Sequence, residues 1–265
     1  MKNYSAHSSS HKYRISAVSY LNTKPLLYGL LNSAIKDDIV ITEDTPAQCA
    51  QKLLNNEVDI GLVPIAIIPQ LKQPRIISPY CIGTDGIVKT VCLFSEVPLA
   101  EINTIYLDYQ SRTSVLLVQL LMKEFWKQEV NFLPATAGFE DNIKGTIAAV
   151  IIGDRAIAAL QKYEYVYDLS QAWKQHTGLP FVFAAWISNK EIHPDFLIQF
   201  DAAMQLGLES RMLLAQQFKE FDSPFFSIEE YWMKNIQYTI TEEKKRAFEL
   251  FIHKLNPNTQ YIYCF

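Results

Sequence analysis

The sequence predicts an α/β fold of two lobes joined by two hinge strands, with a ligand cleft between them. Three observations lead there. Short β-branched apolar runs alternate with stretches of helical apolar spacing, the pattern of mostly parallel sheets covered by helices. A chain of 265 residues lies where a single core stops growing and chains divide in two. Two further strand-like runs, 88–95 and 181–188, bracket a middle segment with its own strand–helix–strand units, after which the chain is helical to its end. Such a chain builds one lobe, builds the second, and returns to the first.

Element by element, residues 13–19, 39–43, 58–63, 105–108, 130–133 and 148–153 are short, apolar and rich in branched side chains, and read as strands. Residues 25–31, 46–55, 111–126 and 154–162 carry apolar positions near every fourth residue and read as covering helices. Pro25 suits the first helical position, where the missing N–H has no partner to lose. Segments 194–218, 227–235 and 241–255 read as amphipathic helices packed on the first lobe, with Glu242, Lys244 and Lys245 solvated. Lobe one is then 1–95 plus 187–265, and lobe two 96–186. Ligands in paired α/β bodies bind at the carboxyl ends of strands, so the strand-to-helix corners are the places to search.

Composition narrows the function. With 49% hydrophobic and 20% charged residues the chain has material for packed cores, and a net charge of -4 supplies no field for nucleic acid. No run approaches the roughly 18 apolar residues of a membrane helix. The opening MKNYSAHSSSHKY lacks a secretory pattern, so the cytoplasm is the expected compartment. Cys49, Cys81, Cys92 and Cys264 show no C-x-x-C spacing and are expected to be buried thiols. His7 and His11 share i,i+4 spacing on a polar tail, where no metal site is expected, and His176 and His193 fall outside donor-rich corners. P-loop, G-x-G-x-x-G and G-x-S-x-G motifs are absent.

Four corners remain. In VSYLNTKPLLYGLL, 18–31, Ser19, Asn22, Thr23 and Lys24 precede a helix whose cap position falls on a lysine, which accepts no hydrogen bond; the first-turn N–H groups are left for water or for an anion. In LDYQSRTSVLLVQLL, 107–121, Ser111, Arg112, Thr113 and Ser114 crowd hydroxyls and a guanidinium at a positive helix end, suited to a carboxylate or phosphate, although Ser111 alone suffices as a cap. CIGTDGIVKTV, 81–91, sets Thr84 and Asp85 between Gly83 and Gly86, as either a ligand approach or an ordinary turn. AAVIIGDRAIAAL, 148–160, ends a strand at Gly153 with Asp154 as cap or ligand.

With these residues in view, the chain resembles the chorismate dehydratase family of the futalosine route to menaquinone. The matching segments are ISAVSYLNTKPLLYGL, VDIGLVPIA, YCIGTDGIVKTVCLFS, LDYQSRTSVLLVQLL, VIIGDRAI and TGLPFVFAAW, between Ile15 and Trp186; the S-Y-L-N-T-K-P and S-R-T-S blocks are the specific ones. The family has serine where this chain has Thr84. The resemblance implies a periplasmic-binding-protein-like type II fold. It also implies conversion of chorismate, a dicarboxylate, to 3-[(1-carboxyvinyl)oxy]benzoate with loss of water, using no metal or organic cofactor. In that scheme the substrate's enolpyruvyl carboxylate takes the proton, while Asn22 and Thr84 position it and the leaving group. Ser19, Thr23, Lys24, Asp85, Ser111, Arg112, Thr113, Ser114, Gly153 and Asp154 are the expected substrate contacts. The competing readings are a non-catalytic carboxylate-binding protein of the same fold, an exported solute receptor, and the effector lobe of a regulator. The last two are disfavoured by a start that shows neither an export signal nor room for a DNA-binding domain.

Overall fold

Buried branched residues begin the first unit: β1 (Tyr13–Val18) turns Ile15, Ala17 and Val18 into the core. The computed structural model describes residues 12–265, so the His7 and His11 pair lies outside the described residues. After β1 a 3-10 turn at Leu21–Thr23 leads into α1 (Lys24–Leu31), where Pro25 stands in the first turn. β2 (Ile39–Asp44), α2 (Pro46–Leu54), β3 (Ile60–Pro64) and β4 (Arg75–Thr84) follow. A capping box starts α2: the Gln48 N–H donates to Thr45 Oγ1 while the Thr45 N–H donates to Gln48 Oε1. β4 is missing from the predicted strands because Ser78, Pro79 and Tyr80 interrupt its apolar run.

The second unit comprises β5 (Val91–Ser95), β6 (Thr104–Leu107), α3 (Thr113–Leu121) with a π turn at Met122–Trp126, β7 (Asn131–Pro134), β8 (Ile147–Ile152), α4 (Asp154–Ala159), β9 (Tyr165–Asp168) and α5 (Leu169–Thr177). The chain returns through β10 (Phe181–Ser188), then α6 (Pro194–Glu209), α7 (Arg211–Ala215), α8 (Ile228–Glu230) with a second π turn at Tyr231–Asn235, β11 (Gln237–Thr239), α9 (Glu242–Leu255) and β12 (Ile262–Tyr263).

Two sheets result. The larger runs β11-β4-β10-β3-β1-β2 with β12 on β4, and the smaller β7-β6-β8-β5-β9. β1 pairs in parallel with β2 and β3, and β6 with β7 and β8, as the alternation predicts; β10 and β5, the strands that follow each crossing, run antiparallel to their neighbours. The expected hinge strands each belong to one sheet. β5 pairs only within the smaller sheet and β10 only within the larger, so by sheet membership 91–95 goes with the second unit and 181–186 with the first. The passages themselves are the short segments 85–90 and 178–180. The former is tied down by half-buried Asp168, whose carboxylate accepts from the N–H groups of Val88 (2.9 Å), Lys89 (2.7 Å), Ser170 (3.0 Å) and Gln171 (3.1 Å).

The C-terminal helices are bolted to the first corner. A Cβ on Gly29 of α1 would stand 1.9 Å from Ala203 O, and one on Gly207 of α6 1.9 Å from Pro25 O, so these two helices meet backbone to backbone. Lys244, expected to be solvated, is 1% exposed and donates to Gln237 O (3.1 Å) and Thr239 O (2.8 Å). Cys49, Cys81 and Cys92 are buried free thiols as expected, whereas Cys264 is exposed.

One buried carboxylate is expected to make the fold sensitive to acid. Asp59, just before β3, accepts from Arg14 N (2.8 Å), Arg14 Nη2 (2.9 Å) and Lys190 Nζ (2.7 Å). Burial pushes its carboxyl up, and the hydrogen bonds from Arg14 and Lys190 outweigh burial and hold it well below the usual carboxylate range. A depressed folded value means its stabilisation is complete above the ordinary carboxylate value of about 4 and is lost as pH falls toward the folded value. Asp59→Asn is expected to cost roughly 1–3 kcal/mol at neutral pH and to flatten the acid limb of urea-unfolding free energy against pH; an unchanged limb would exclude Asp59 as its source.

Candidate active site

The cleft opens where the carboxyl ends of β1, β3 and β4 face the end of β8 and the start of α3. It spans about 520 Å³ of space free of atoms, counted to its mouth and including solvent there. Val18, Ile82, Val88, Val91, Ile152 and Phe183 form apolar walls, while Tyr20, Asn22, Thr90, Ser111, Thr113 and Ser114 supply polar groups.

At the first corner only Asn22 of the four predicted residues lines the cleft. Its Oδ1 accepts from Thr23 Oγ1 (3.1 Å) and its backbone carbonyl from the Tyr238 hydroxyl (2.9 Å), while the Trp232 indole N–H donates to Leu21 O (2.9 Å). The amide nitrogen is therefore presented on a corner fixed from behind. Ser19 donates its N–H to Asp44 O (3.0 Å), Thr23 is buried with its hydroxyl on Asn22, and Lys24 Nζ is paired with Glu43 (2.7 Å). None of these three lines the cleft. The Leu21 N–H donates across the cleft to Asp154 Oδ1 (3.0 Å).

The second corner keeps its donors. Ser111 Oγ accepts from Ser114 N (3.1 Å), the capping role anticipated for it. Thr113 Oγ1 donates to Phe183 O (3.1 Å) and accepts from Ala66 N (3.3 Å), which seats the start of α3 on the first lobe. The Arg112 and Thr113 N–H groups have no acceptor among the described residues, and the Ser114 hydroxyl opens into the cleft. Arg112 is exposed and does not line it. Free amides, hydroxyls and the helix dipole together favour an anion here.

At the third corner the expected residues lie elsewhere. Thr84 Oγ1 faces the carbonyls of Gly86 (3.4 Å) and Ile87 (3.5 Å), a turn contact, and Asp85 is exposed and paired with Lys174 (2.6 Å). The hydroxyl that faces the cleft from this stretch is Thr90, 1% exposed and hydrogen-bonded to the Tyr231 hydroxyl (2.7 Å). Thr90 escapes sequence reasoning because a lone threonine beside a strand has no spacing signal.

The fourth corner is a closure point. Gly153 lines the cleft at φ +65°, and the Tyr20 ring lies so close that a Cβ would stand 2.5 Å from it. The Tyr20 hydroxyl bonds Gln110 Oε1, and Gln110 O accepts from the Ala47 N–H (3.1 Å), so lobe one grips Gln110 twice. Burial pushes the Asp154 carboxyl up and the Leu21 N–H pulls it down; Asp154 thus ties the lobes together rather than lining the cleft. Beneath it Asp108, fully desolvated, accepts from Ile152 N (3.0 Å), Gln110 N (2.9 Å) and Arg155 Nη2 (2.6 Å), which sets both lips of the second lobe.

Among the described residues no three His, Cys, Asp or Glu side chains converge to hold a metal, and no helix is long and apolar enough to cross a membrane. The chain is 27% identical over 205 residues to the chorismate dehydratase of Thermus thermophilus, covering 69% of this chain and 72% of the relative. A protein of Archaeoglobus fulgidus solved by structural genomics superposes with a TM-score of 0.71 at 14% identity, over 94% of this chain and 98% of that one. The periplasmic aliphatic sulphonate binding protein of Escherichia coli superposes at 0.59 with 14% identity, over 95% of both chains. These likenesses identify the expected two-lobed periplasmic-binding-protein-like fold. A family model described as menaquinone biosynthesis matches residues 13–256, and over that span, which holds both lobes and every lip of the cleft, the chain belongs to the menaquinone biosynthesis family.

Proposed function

We propose that the protein is a cytoplasmic chorismate dehydratase that converts chorismate to 3-[(1-carboxyvinyl)oxy]benzoate and water without metal or organic cofactor. One observation carries the reading: two donor groups, Asn22 of the first lobe with Thr90 of the adjoining passage and the start of α3 of the second lobe, face one apolar-walled cleft. Chorismate is a ring with two carboxylates, which matches that division. The resemblance in sequence to a chorismate dehydratase points the same way.

In this scheme one carboxylate seats on the free Arg112 and Thr113 amides and the Ser114 hydroxyl, and the ring lies against Ile82, Ile152 and Phe183. The enolpyruvyl carboxylate removes the ring proton next to the hydroxyl-bearing carbon. The C–H pair becomes the new ring π bond, the C–O pair leaves with oxygen, and the proton joins it as water. Asn22 and Thr90 donate to the departing oxygen, where charge builds up. Aromatisation supplies much of the driving force, so the chain's task is to orient the substrate and exclude water. The lobes close about the passages at 85–90 and 178–180.

Incubating the purified protein with chorismate is expected to yield a product lighter by one water, seen by mass and by ultraviolet absorbance. Tight binding of chorismate without conversion would replace the reading with that of a carboxylate-binding protein.

A further inference from the structure

We propose that Tyr231, behind the cleft, is a positioning residue that fixes the direction of the Thr90 hydroxyl; the proposal deepens the dehydratase reading and rests on it. Segment 227–235 reads from sequence as one more amphipathic packing helix. Instead α8 stops after Glu230 and a five-residue π turn follows, a widening that often marks functional sites. The turn brings both Tyr231 and Trp232 against the first corner, where Trp232 holds Leu21 O and Tyr238 holds Asn22 O. Tyr231 alone of the three reaches the Thr90 hydroxyl, at 2.7 Å.

Either hydroxyl of the Tyr231–Thr90 pair can donate, and we take Tyr231 as the donor. Asn22 Oδ1 is taken by the Thr23 hydroxyl. Tyr231 is 1% exposed, and burial keeps the phenol protonated. Its single proton has Thr90 Oγ1 as acceptor. With a lone pair of Thr90 occupied in this way, the threonine's own proton is left to point into the cleft, which Thr90 lines. Tyr231 and Thr90 thus form a short chain of donors that ends at the proposed position of the leaving oxygen. Each link orients the next before substrate arrives.

A double-mutant cycle tests this, with kcat and KM for chorismate measured on the full chain and folding followed by thermal melting. Tyr231→Phe is expected to lower kcat about 10-fold with KM within about twofold of the original. In a Thr90→Val background the same change is expected to cost less than about twofold, because the hydroxyl it orients is gone. A merely structural role would multiply the two losses, and that result overturns the proposal. So does an unchanged kcat in Tyr231→Phe when the unmodified protein is active, while the dehydratase reading then survives; an inactive unmodified protein overturns both. Independent of any variant, a crystal with the benzoate product bound is expected to keep the Tyr231–Thr90 hydrogen bond with Thr90 Oγ1 facing the product, and a Thr90 hydroxyl turned away overturns the proposal.

Discussion

Asn22→Ala is expected to lower kcat on chorismate by about 10²- to 10³-fold, the usual cost of removing a preorganised donor from developing negative charge. The expectation rests on how little freedom the amide has. Its oxygen is held by Thr23, its carbonyl by Tyr238 and the preceding carbonyl by Trp232, so the nitrogen meets substrate without reorganisation. These last two anchors act on the backbone and survive truncation of the side chain, so the melting temperature is expected to stay within a few degrees of the original. The threonines provide an internal contrast. Thr90→Val removes a hydroxyl that faces the cleft and is expected to cost a similar factor, whereas Thr84→Val removes only long contacts to turn carbonyls and is expected to leave kcat within about twofold. Steady-state kinetics on the three variants decides it. Full activity in Asn22→Ala removes the amide from the scheme, and loss in Thr84→Val with activity in Thr90→Val reverses the assignment.

That contrast shows what is legible in the chain. Strands such as Tyr13–Val18 and Ile147–Ile152 announce themselves because burial on both faces favours short, mostly apolar runs. Asn22, Ser111 and Ser114 are legible because polar side chains crowd a strand-to-helix corner where a plain turn needs few. Thr84 attracts attention through its flanking glycines, yet Gly86 at φ +113° is needed by the turn itself. Lys24 looks like an unusual cap, and the reason lies 19 residues on, in its ion pair with Glu43. Thr90 and Tyr231 are invisible locally: their meeting depends on contact across 141 residues and on a π turn that no apolar period encodes. Tyr20 belongs to the same class, since its partners Gln110 and Gly153 come from the opposite lobe. The packing scaffold is thus written in periodicity, while the rest of the polar site, Tyr20 and Thr90, is written in tertiary pairing.

Gly153→Ala is expected to lower kcat/KM by about 10²-fold through loss of closure rather than loss of a donor. At φ +65° and ψ -150° the residue occupies backbone space that only glycine enters at low cost, and any side chain there carries about 1–3 kcal/mol of strain. The added Cβ would also stand 2.5 Å from the Tyr20 ring, which is pinned by its hydroxyl to Gln110. Relief comes most directly from parting the lobes, which breaks the Tyr20–Gln110 and Leu21–Asp154 hydrogen bonds together and opens the cleft to water. Two measurements separate the causes. Small-angle scattering is expected to show compaction on adding product for the original protein and none for Gly153→Ala. Adding Tyr20→Ala to Gly153→Ala removes the collision but leaves the backbone strain, so recovery of closure in the double variant assigns the effect to the ring. If Gly153→Ala compacts and turns over like the original, the contact between Tyr20 and Gly153 plays no part in holding the lobes together.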